Sequence, residues 1–440
     1  MESEAELLEL ARRYGFRARM DGRSGGAAGG PIFVKGAGSE VEDTEGRRYL
    51  DFNSGQMCAA LGHNHPRIAA AIREACDTLL HAHSSYFNVM EIRLAERLAR
   101  VMPKGLDKSL FLQSGSEANE AAVRIARLYT GGREVSSPHV SFHGLSDTAR
   151  SLTFAGWRRE QGELPAGAHA MIAPYCYRCP LRQSFPQCGY ACLDASFELI
   201  DAQASGQPAA VMTEPLFSAG GVIEPPPGWL KRLQELCRER GMLLILDEEQ
   251  TGLGKLGAMF ACEAEDVVPD MITVAKHFGG GVGISAVTAT AAIEEKAAAA
   301  GFVATHSHSN DPLSCAAGLA SLEIIGEEDM PKKARAIGER FTAHLETLAQ
   351  RWEEIGDIRG RGLLLGIELV EDRHTRRPAT EFGRRVYAHA FAHGLIFSLR
   401  REGSVLRFVP PASTSEEQLD RAAELLDAAF AAAREKRRRR

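Results

Sequence analysis

No apolar run in the 440-residue chain approaches the roughly 20 residues that a membrane-spanning helix needs, so no such span is expected. There is no excess of positive charge either. Fifty-two Lys and Arg stand against 58 Asp and Glu, and the net charge of −6 gives no general attraction to nucleic acid or to an anionic membrane surface. The opening Met1-Glu2-Ser3-Glu4 lacks the basic and then apolar stretch of a secretory signal, so a cytoplasmic protein is expected. The nine cysteines are an odd number in a long chain, which argues against a disulfide framework. No internal repeat is visible. Hydrophobic content of 44% and charged content of 25% are ordinary for a globular chain and exclude wholesale disorder.

What is present is an alternation. Helical patterns are read at 66–80, 90–101 and 117–129, and short apolar strands at 109–112, 209–212, 242–246, 271–275 and 285–289. Strands without polar alternation are those buried on both faces, and strands separated by helices imply a parallel sheet with right-handed crossovers. Before this region lie a helix at 4–14, a glycine-rich connector at 22–30, and a hairpin formed by 32–34 and 48–52. After about residue 320 come a helix at 331–353, a strand at 360–369, a helix at 380–393, a strand at 405–409 and a last helix from Ser415. The run Arg437 to Arg440 reads as a solvated end. The expected fold class is α/β: a large domain, 65–325, built on a mostly parallel sheet, plus a smaller α+β domain made from the N-terminal segment 1–64 and the C-terminal segment 326–440.

Open parallel sheets bind ligands beyond the carboxyl ends of their strands. Asp247 follows the strand at 242–246, and an isolated carboxylate there is costly unless it meets a cation. Lys276 follows 271–275. Desolvation lowers a lysine pKa, and a neutral amine can form a Schiff base. The alternative is that the two pair as a buried ion bridge. Ser114-Gly115-Ser116 follows 109–112 and opens a helix, where backbone N–H groups and the positive dipole end suit phosphate. The alternative there is an ordinary N-cap at Ser116. A phosphate cradle, an acid able to hold a pyridine nitrogen protonated and an amine able to take an aldehyde together make the set that pyridoxal phosphate requires.

The run Leu246-Asp247-Glu248-Glu249-Gln250-Thr251-Gly252-Leu253-Gly254, then Met259 to Glu263, Val268-Pro269-Asp270 and Lys276, resembles the signature of class III aminotransferases, fold type I enzymes dependent on pyridoxal phosphate. The resemblance runs from about residue 32 to 430. Within the class, the pattern at Leu50 to Met57, Leu61 to Pro66, Gly360 to Gly366, and Arg407 with Pro410-Pro411 is similar to that of the 2,2-dialkylglycine decarboxylases.

The resemblance implies roles. Lys276 is the amine that bonds the cofactor and then moves protons. Asp247 partners the pyridine nitrogen, and Gln250 lies near the ring hydroxyl. Gly115, Ser116 and Asn119 form the phosphate loop. Phe142, ahead of His143 and Gly144, stacks on the ring. Ser307 reaches the phosphate of a neighbouring subunit, which implies a homodimer with shared sites, and such dimers can pair into a tetramer. Arg407 clamps a substrate carboxylate, with Glu214 in the same region. Gln56, beside Met57, holds the carboxylate that stands perpendicular to the ring before it leaves. An alkali cation, K⁺ or Na⁺, would be held at Ala82, Ser84, Ser307, Ser309 and Asp311, since oxygen ligands suit a hard cation. The implied reaction passes the amino group of a small donor to a 2-oxo acid, in its most specific form the decarboxylation-dependent transamination of 2,2-dialkylglycines with pyruvate. The alternatives are an ordinary ω-amino acid or amine:2-oxo-acid transaminase, or an amine phospholyase.

Three positions depart from the decarboxylase pattern. Phe142 replaces a tryptophan, Ala219 a serine, and Glu249 a small or β-branched apolar residue under the ring. A second acid beside Asp247 should raise one of the two pKa values, and Glu249 can turn away, be protonated or touch a polar substrate.

Two further clusters stand out. Cys176-x2-Cys179-x8-Cys188-x3-Cys192 has a spacing that suits zinc, or else four reduced structural thiols beneath an irregular loop. The pairs His63/His65, His81/His83 and His306/His308 read as lining a crevice or a subunit contact rather than as metal ligands.

Overall fold

A computed structural model describes residues 3–16, 30–156 and 162–438. Most of the glycine-rich connector read at 22–30 lies outside these residues, and so do the side chains of Arg437 to Arg440. The chain divides into two compact units, Pro66–Arg335 and the pair of segments Met1–His65 and Ala336–Arg440. No helix among the described residues is long and apolar enough to cross a membrane.

The unit Pro66–Arg335 is organised by a seven-stranded sheet. Its spatial order is Lys108–Leu112, Ser285–Ala289, Met271–Val274, Leu243–Asp247, Pro208–Thr213, Glu134–Pro138 and Ala168–Met171. Ser285–Ala289 runs antiparallel to both its neighbours, and the remaining strands share one direction. The strands Leu243–Asp247, Met271–Val274 and Ser285–Ala289 are buried at every position, which explains their mainly apolar spelling. Beneath them the helix Gly115–Thr130 contributes Ala121, Ala122, Val123, Ile125 and Ala126 to the core that Met212, Ile245 and Val287 share.

The other unit holds two four-stranded sheets. In one, Phe33–Ala37, Glu40–Asp43 and Arg48–Asp51 form a meander, with Leu395–Ile396 added in parallel. In the other, Ile355–Arg361, Leu364–Leu369, Val405–Phe408 and Ser398–Arg400 are antiparallel. Helices Thr380–Ala392 and Glu416–Arg438, and the Met330–Arg351 helix from Ala336 on, cover a core in which Phe341 meets Phe52 and Phe408 edge to face at 5.4 and 5.5 Å.

The structure corrects several expectations. The single strand read at 360–369 is a hairpin that turns at Gly362, whose φ of +56° puts it in the left-handed region. The hairpin read at 32–34 and 48–52 contains a middle strand, Glu40–Asp43, that its acidic composition hid. Glu134–Pro138 and Ala168–Met171 were not foreseen as strands. The first spells Glu-Val-Ser-Ser-Pro yet is buried throughout, because a strand lies on each side of it.

Candidate active site

Asp247, Glu249 and Lys276, three of the residues singled out by the sequence, gather at the carboxyl edge of the large sheet. Asp247 ends the strand Leu243–Asp247, Glu249 follows two residues on, and Lys276 follows Met271–Val274 after Ala275. Asp247 and Glu249 both turn toward Asn119 of the helix Gly115–Thr130, whose Nδ2 donates to Asp247 Oδ2 at 2.9 Å and to Glu249 Oε1 at 3.1 Å. The same Nδ2 reaches the His143 carbonyl at 2.8 Å. Asn119 Oδ1 in turn accepts from the Thr273 hydroxyl at 2.7 Å. Glu248 goes elsewhere. It accepts from the backbone N–H groups of Ala261 and Cys262 at 3.1 and 3.0 Å and from the Thr251 hydroxyl, and so fastens the loop that follows the strand.

Asp247 is held as an anion. His143 Nδ1 lies 2.8 Å from its Oδ2, and the backbone N–H of Glu249 donates to Oδ1 at 3.1 Å. Burial alone would raise its pKa. The hydrogen bond and charge of His143, together with the charge of Lys276, bring it below the usual carboxylate range. Ser137 Oγ stands 3.0 Å from His143 Nε2 and fixes the ring from behind.

Lys276 has φ of +54°, a backbone conformation that costs a β-carbon-bearing residue free energy and that concentrates where function over-determines geometry. Its Nζ donates to Glu249 Oε2 at 3.1 Å. The ion bridge weighed from the sequence therefore forms to Glu249, while the charge of the lysine also acts on Asp247. Burial and the neighbouring Asp247 push Glu249 up to about 7, and Lys276 opposes that rise.

At the start of the helix Gly115–Thr130, the N-cap is Ser114 rather than Ser116. Ser114 Oγ accepts from Glu117 N at 3.4 Å, and the Glu117 carboxylate returns to Ser114 N at 2.7 Å, a capping box. Ser116 is thereby released. Its Oγ accepts from Leu145 N at 3.1 Å and ties the His143-Gly144-Leu145 segment over the helix start. Gly144, at φ +130°, is required there, because a β-carbon on it would fall 2.2 Å from Ser116 Oγ.

Phe142 is half-buried, and its backbone N–H donates to Glu214 Oε1 at 2.9 Å. Glu214 Oε2 accepts from Ser218 N at 3.1 Å. Burial, reinforced by the charge of Asp247, pushes Glu214 up to about 8. The sequence placed Glu214 only loosely, and the structure makes it the brace of the Phe142 segment. Thr273 was missed. The signal was a lone hydroxyl residue in an otherwise apolar strand, since a buried polar group needs a partner. Gln250 is buried beside this cluster in sequence.

Gln56, Met57 and Arg407 belong to the other unit. Ser54, Gly55, Gln56 and Met57 all have positive φ, 45°, 52°, 69° and 71°, a single left-handed turn. Asp51 holds it through Asn53 N and Gly55 N at 3.0 and 2.6 Å, His63 Nε2 lies 2.8 Å from the same carboxylate, and the Ser54 hydroxyl donates to the Val409 carbonyl at 2.5 Å. Met57 is buried and Gln56 exposed. Arg407, in Val405–Phe408, is buried, and its Nε donates to Ser398 Oγ at 2.9 Å.

For the oxygen set read as a cation site, Ala82 and Ser84 are half-buried, Ser307 is exposed, and Ser309 and Asp311 are buried. Asp311 is clasped by two imidazoles, with His81 Nδ1 2.6 Å from Oδ1 and His308 Nδ1 2.6 Å from Oδ2. Among the described residues, these three are the group of metal-ligating side chains whose ligand atoms converge within 4.8 Å. His308 is three residues from Asp311, but His81 is 230 residues away, so spacing does not reveal that both rings meet one carboxylate. The four clustered cysteines are free thiols. All four line one cavity of about 20 Å³ together with Tyr175 and Phe185. Burial pushes the Cys192 thiol up to about 11, with the Trp229 hydrogen bond opposing.

The donor set fits pyridoxal phosphate. One amine, one carboxylate kept ionised, and the open N–H groups of a capped helix start lie on one sheet edge, with an aromatic residue braced beside them.

Comparison with known proteins agrees. Residues 27–430 match the family model described as Aminotransferase class-III. An uncharacterized aminotransferase of Schizosaccharomyces pombe is 38% identical over 93% of this chain and 92% of its own. A leucine/methionine racemase of Thermococcus litoralis is 37% identical over 91% and 90%. Among solved structures, an amine transaminase from an uncultivated Pseudomonas species in its PLP-bound form superimposes with a TM-score of 0.84 at 30% identity, covering 92% of this chain and 94% of that one. The chain belongs to the class III aminotransferases, pyridoxal phosphate-dependent transaminases of fold type I.

Proposed function

We propose that this enzyme transfers the amino group of a 2,2-dialkylglycine to pyruvate with loss of CO₂, using Lys276, Asp247 and Gln56 as its central residues. The cofactor, when bound, supplies an aldehyde that accepts the amino group and a protonated pyridine ring that withdraws electrons from the bond that breaks. This chain's residues do the rest. Asp247, kept anionic by His143, holds a proton on the pyridine nitrogen. Lys276 provides the attachment amine and afterwards carries a proton to and from the substrate carbon. Gly115, Ser116 and the first-turn N–H groups receive the phosphate. Arg407 binds one carboxylate in the bidentate manner suited to guanidinium, and Gln56 holds whichever group stands perpendicular to the ring. Gln250 lies at the ring hydroxyl, and Ser307 reaches the partner's phosphate across a homodimer.

The observation that carries the decarboxylating form is the left-handed turn at Ser54–Met57. Four consecutive residues with positive φ, three of them bearing side chains, are a costly way to present Gln56 unless its amide has a fixed task. A second reading, an amine:2-oxo-acid transaminase that breaks a C–H bond, is favoured by Glu249. Its charge under the ring departs from the decarboxylase pattern, and the solved amine transaminase is a structural neighbour. An alkali cation at Asp311 belongs to the first reading. It would have to share that carboxylate with His81 and His308.

Incubation with 2-aminoisobutyrate and pyruvate tests the choice. CO₂, acetone and alanine in equal amounts support the decarboxylating form, and parallel assays in K⁺ and Na⁺ test the cation. Turnover confined to donors that carry a Cα hydrogen assigns the enzyme to the second reading.

A further inference from the structure

Glu249 carries no step in either reading. It is only 7% exposed, yet it is an acid beside another acid. One oxygen is taken by Asn119 and the other by the Lys276 ammonium, each at 3.1 Å. The carboxylate also lies against the first residue of the helix Gly115–Thr130. A β-carbon built on Gly115 would fall 2.0 Å from Glu249 Oε2 and 2.2 Å from Oε1, so the carboxylate fills the space that this glycine leaves open. The start of a helix attracts an anion, and here the chain supplies its own.

We propose that Glu249 is a resident counter-anion that competes with pyridoxal phosphate for Lys276 and for the helix start at Gly115, and so sets how tightly and how fast the enzyme takes up its cofactor. The inference rests on the reading that the cofactor is held between Lys276 and Asp247. The cofactor brings a phosphate of its own charge sign to a site where a carboxylate already offsets the lysine, and like charges at close range in a dry cleft repel strongly. The charged and titratable groups that face Glu249 are Asp247 and His143 on one side and Lys276 on the other, with Glu214 acting on the same pair. Lys276 and His143 favour its ionised form by charge, and the Asn119 amide does so by its hydrogen bond.

The test uses full-length protein stripped of cofactor with hydroxylamine and then titrated with pyridoxal phosphate, read by absorbance and by the association rate. Glu249→Gln keeps the bulk and removes the charge, whereas Glu249→Ala removes both. The expected result is at least tenfold tighter and faster uptake in Glu249→Gln, with Glu249→Ala equal to it or better. If Glu249→Gln behaves as wild type while Glu249→Ala improves, space rather than charge governs uptake and the counter-anion is refuted. If both variants load as wild type does, it is refuted again, while the cofactor reading stands. If wild type loads no pyridoxal phosphate, or if Lys276→Ala loads with an unchanged spectrum, the cofactor reading fails and takes this inference with it.

Discussion

At the residue scale the site is a set of paired demands. Asp247 must remain charged in a dry place, and His143, backed by Ser137, supplies the hydrogen bond that allows it. Lys276 must be reactive, and its strained backbone and its bond to the Glu249 carboxylate set its position. Lys276→Ala is expected to abolish the bound-cofactor absorbance and to lower kcat by at least about a thousandfold, in keeping with loss of a covalent catalyst. The comparison is with wild type by spectrum and steady-state rate. Glu214 gives a prediction of stability. Its folded pKa of about 8 lies above the ordinary carboxyl value of 4.5, so the folded state holds a proton that the unfolded state has lost. The contribution is fully present below pH 4.5 and is lost as pH rises through about 8. Glu249 adds to the same slope, ending near 7. The melting temperature of cofactor-free enzyme should therefore fall between pH 5 and 8.5. Glu214→Gln should flatten that fall even though it loses an acceptor for the Ser218 N–H. An unchanged slope in the variant would show that Glu214 does not titrate in this window.

At the element scale the helix Gly115–Thr130 and the segment His143–Leu145 decide whether a phosphate can be received. Ser114→Ala removes the cap and is expected to cost about 1 kcal/mol of stability, read by denaturant titration. Gly144→Ala should do more harm to cofactor binding than to the fold. Its β-carbon would displace Ser116 Oγ, so the affinity for pyridoxal phosphate should drop at least tenfold while the far-ultraviolet dichroism is kept. How much of this was legible follows from what each element spells. Leu243–Asp247 announces itself as a buried strand because no polar residue interrupts it before Asp247, and Met271–Val274 because only Thr273 does, so Asp247 and the Lys276 that follows the second strand are conspicuous. Glu134–Pro138 does not, because Ser136 and Ser137 look like loop residues. Ser137 is polar for the sake of His143, which no local pattern reveals. A helix start near Gly115 and Ser116 was legible, and Gly115, Ser116 and Asn119 all lie within the helix itself. The shift of the cap to Ser114 was legible in principle from the Ser-x-x-Glu spacing and was passed over in favour of Ser116. The Asn119–Asp247 bridge, the Lys276–Glu249 pair and the His81–Asp311 contact join residues 27 to 230 positions apart, and spacing carries no information at that range.

At the scale of the whole molecule, the fold class was legible from the alternation of strands and helices, and the class III aminotransferase family from a long motif. The choice among reactions was not, because breaking a C–H bond or a C–carboxylate bond calls on the same lysine and acid, and the family motif is common to both. The enzyme as a whole should respond to its cofactor by mass action. Pyridoxal phosphate at about 100 times its Kd should stabilise the folded state by roughly 2.7 kcal/mol. A calorimetric scan of stripped enzyme with and without cofactor measures this, and Lys276→Ala should show a much smaller rise. A wild-type melting point indifferent to pyridoxal phosphate would mean that the cofactor does not engage the native state.

The turn at Ser54–Met57 has an evolutionary edge. Glycine would adopt those four conformations with less strain than serine, glutamine or methionine. Selection of random variants for heat tolerance alone, with no demand on turnover, should therefore drift toward glycine at position 56, whose side chain is exposed, and not at 54 or 57, where the Ser54 hydroxyl bonds the Val409 carbonyl and Met57 is buried. The hardier enzymes so obtained should handle amino donors poorly, which would make this short stretch a place where robustness and catalysis pull in opposite directions.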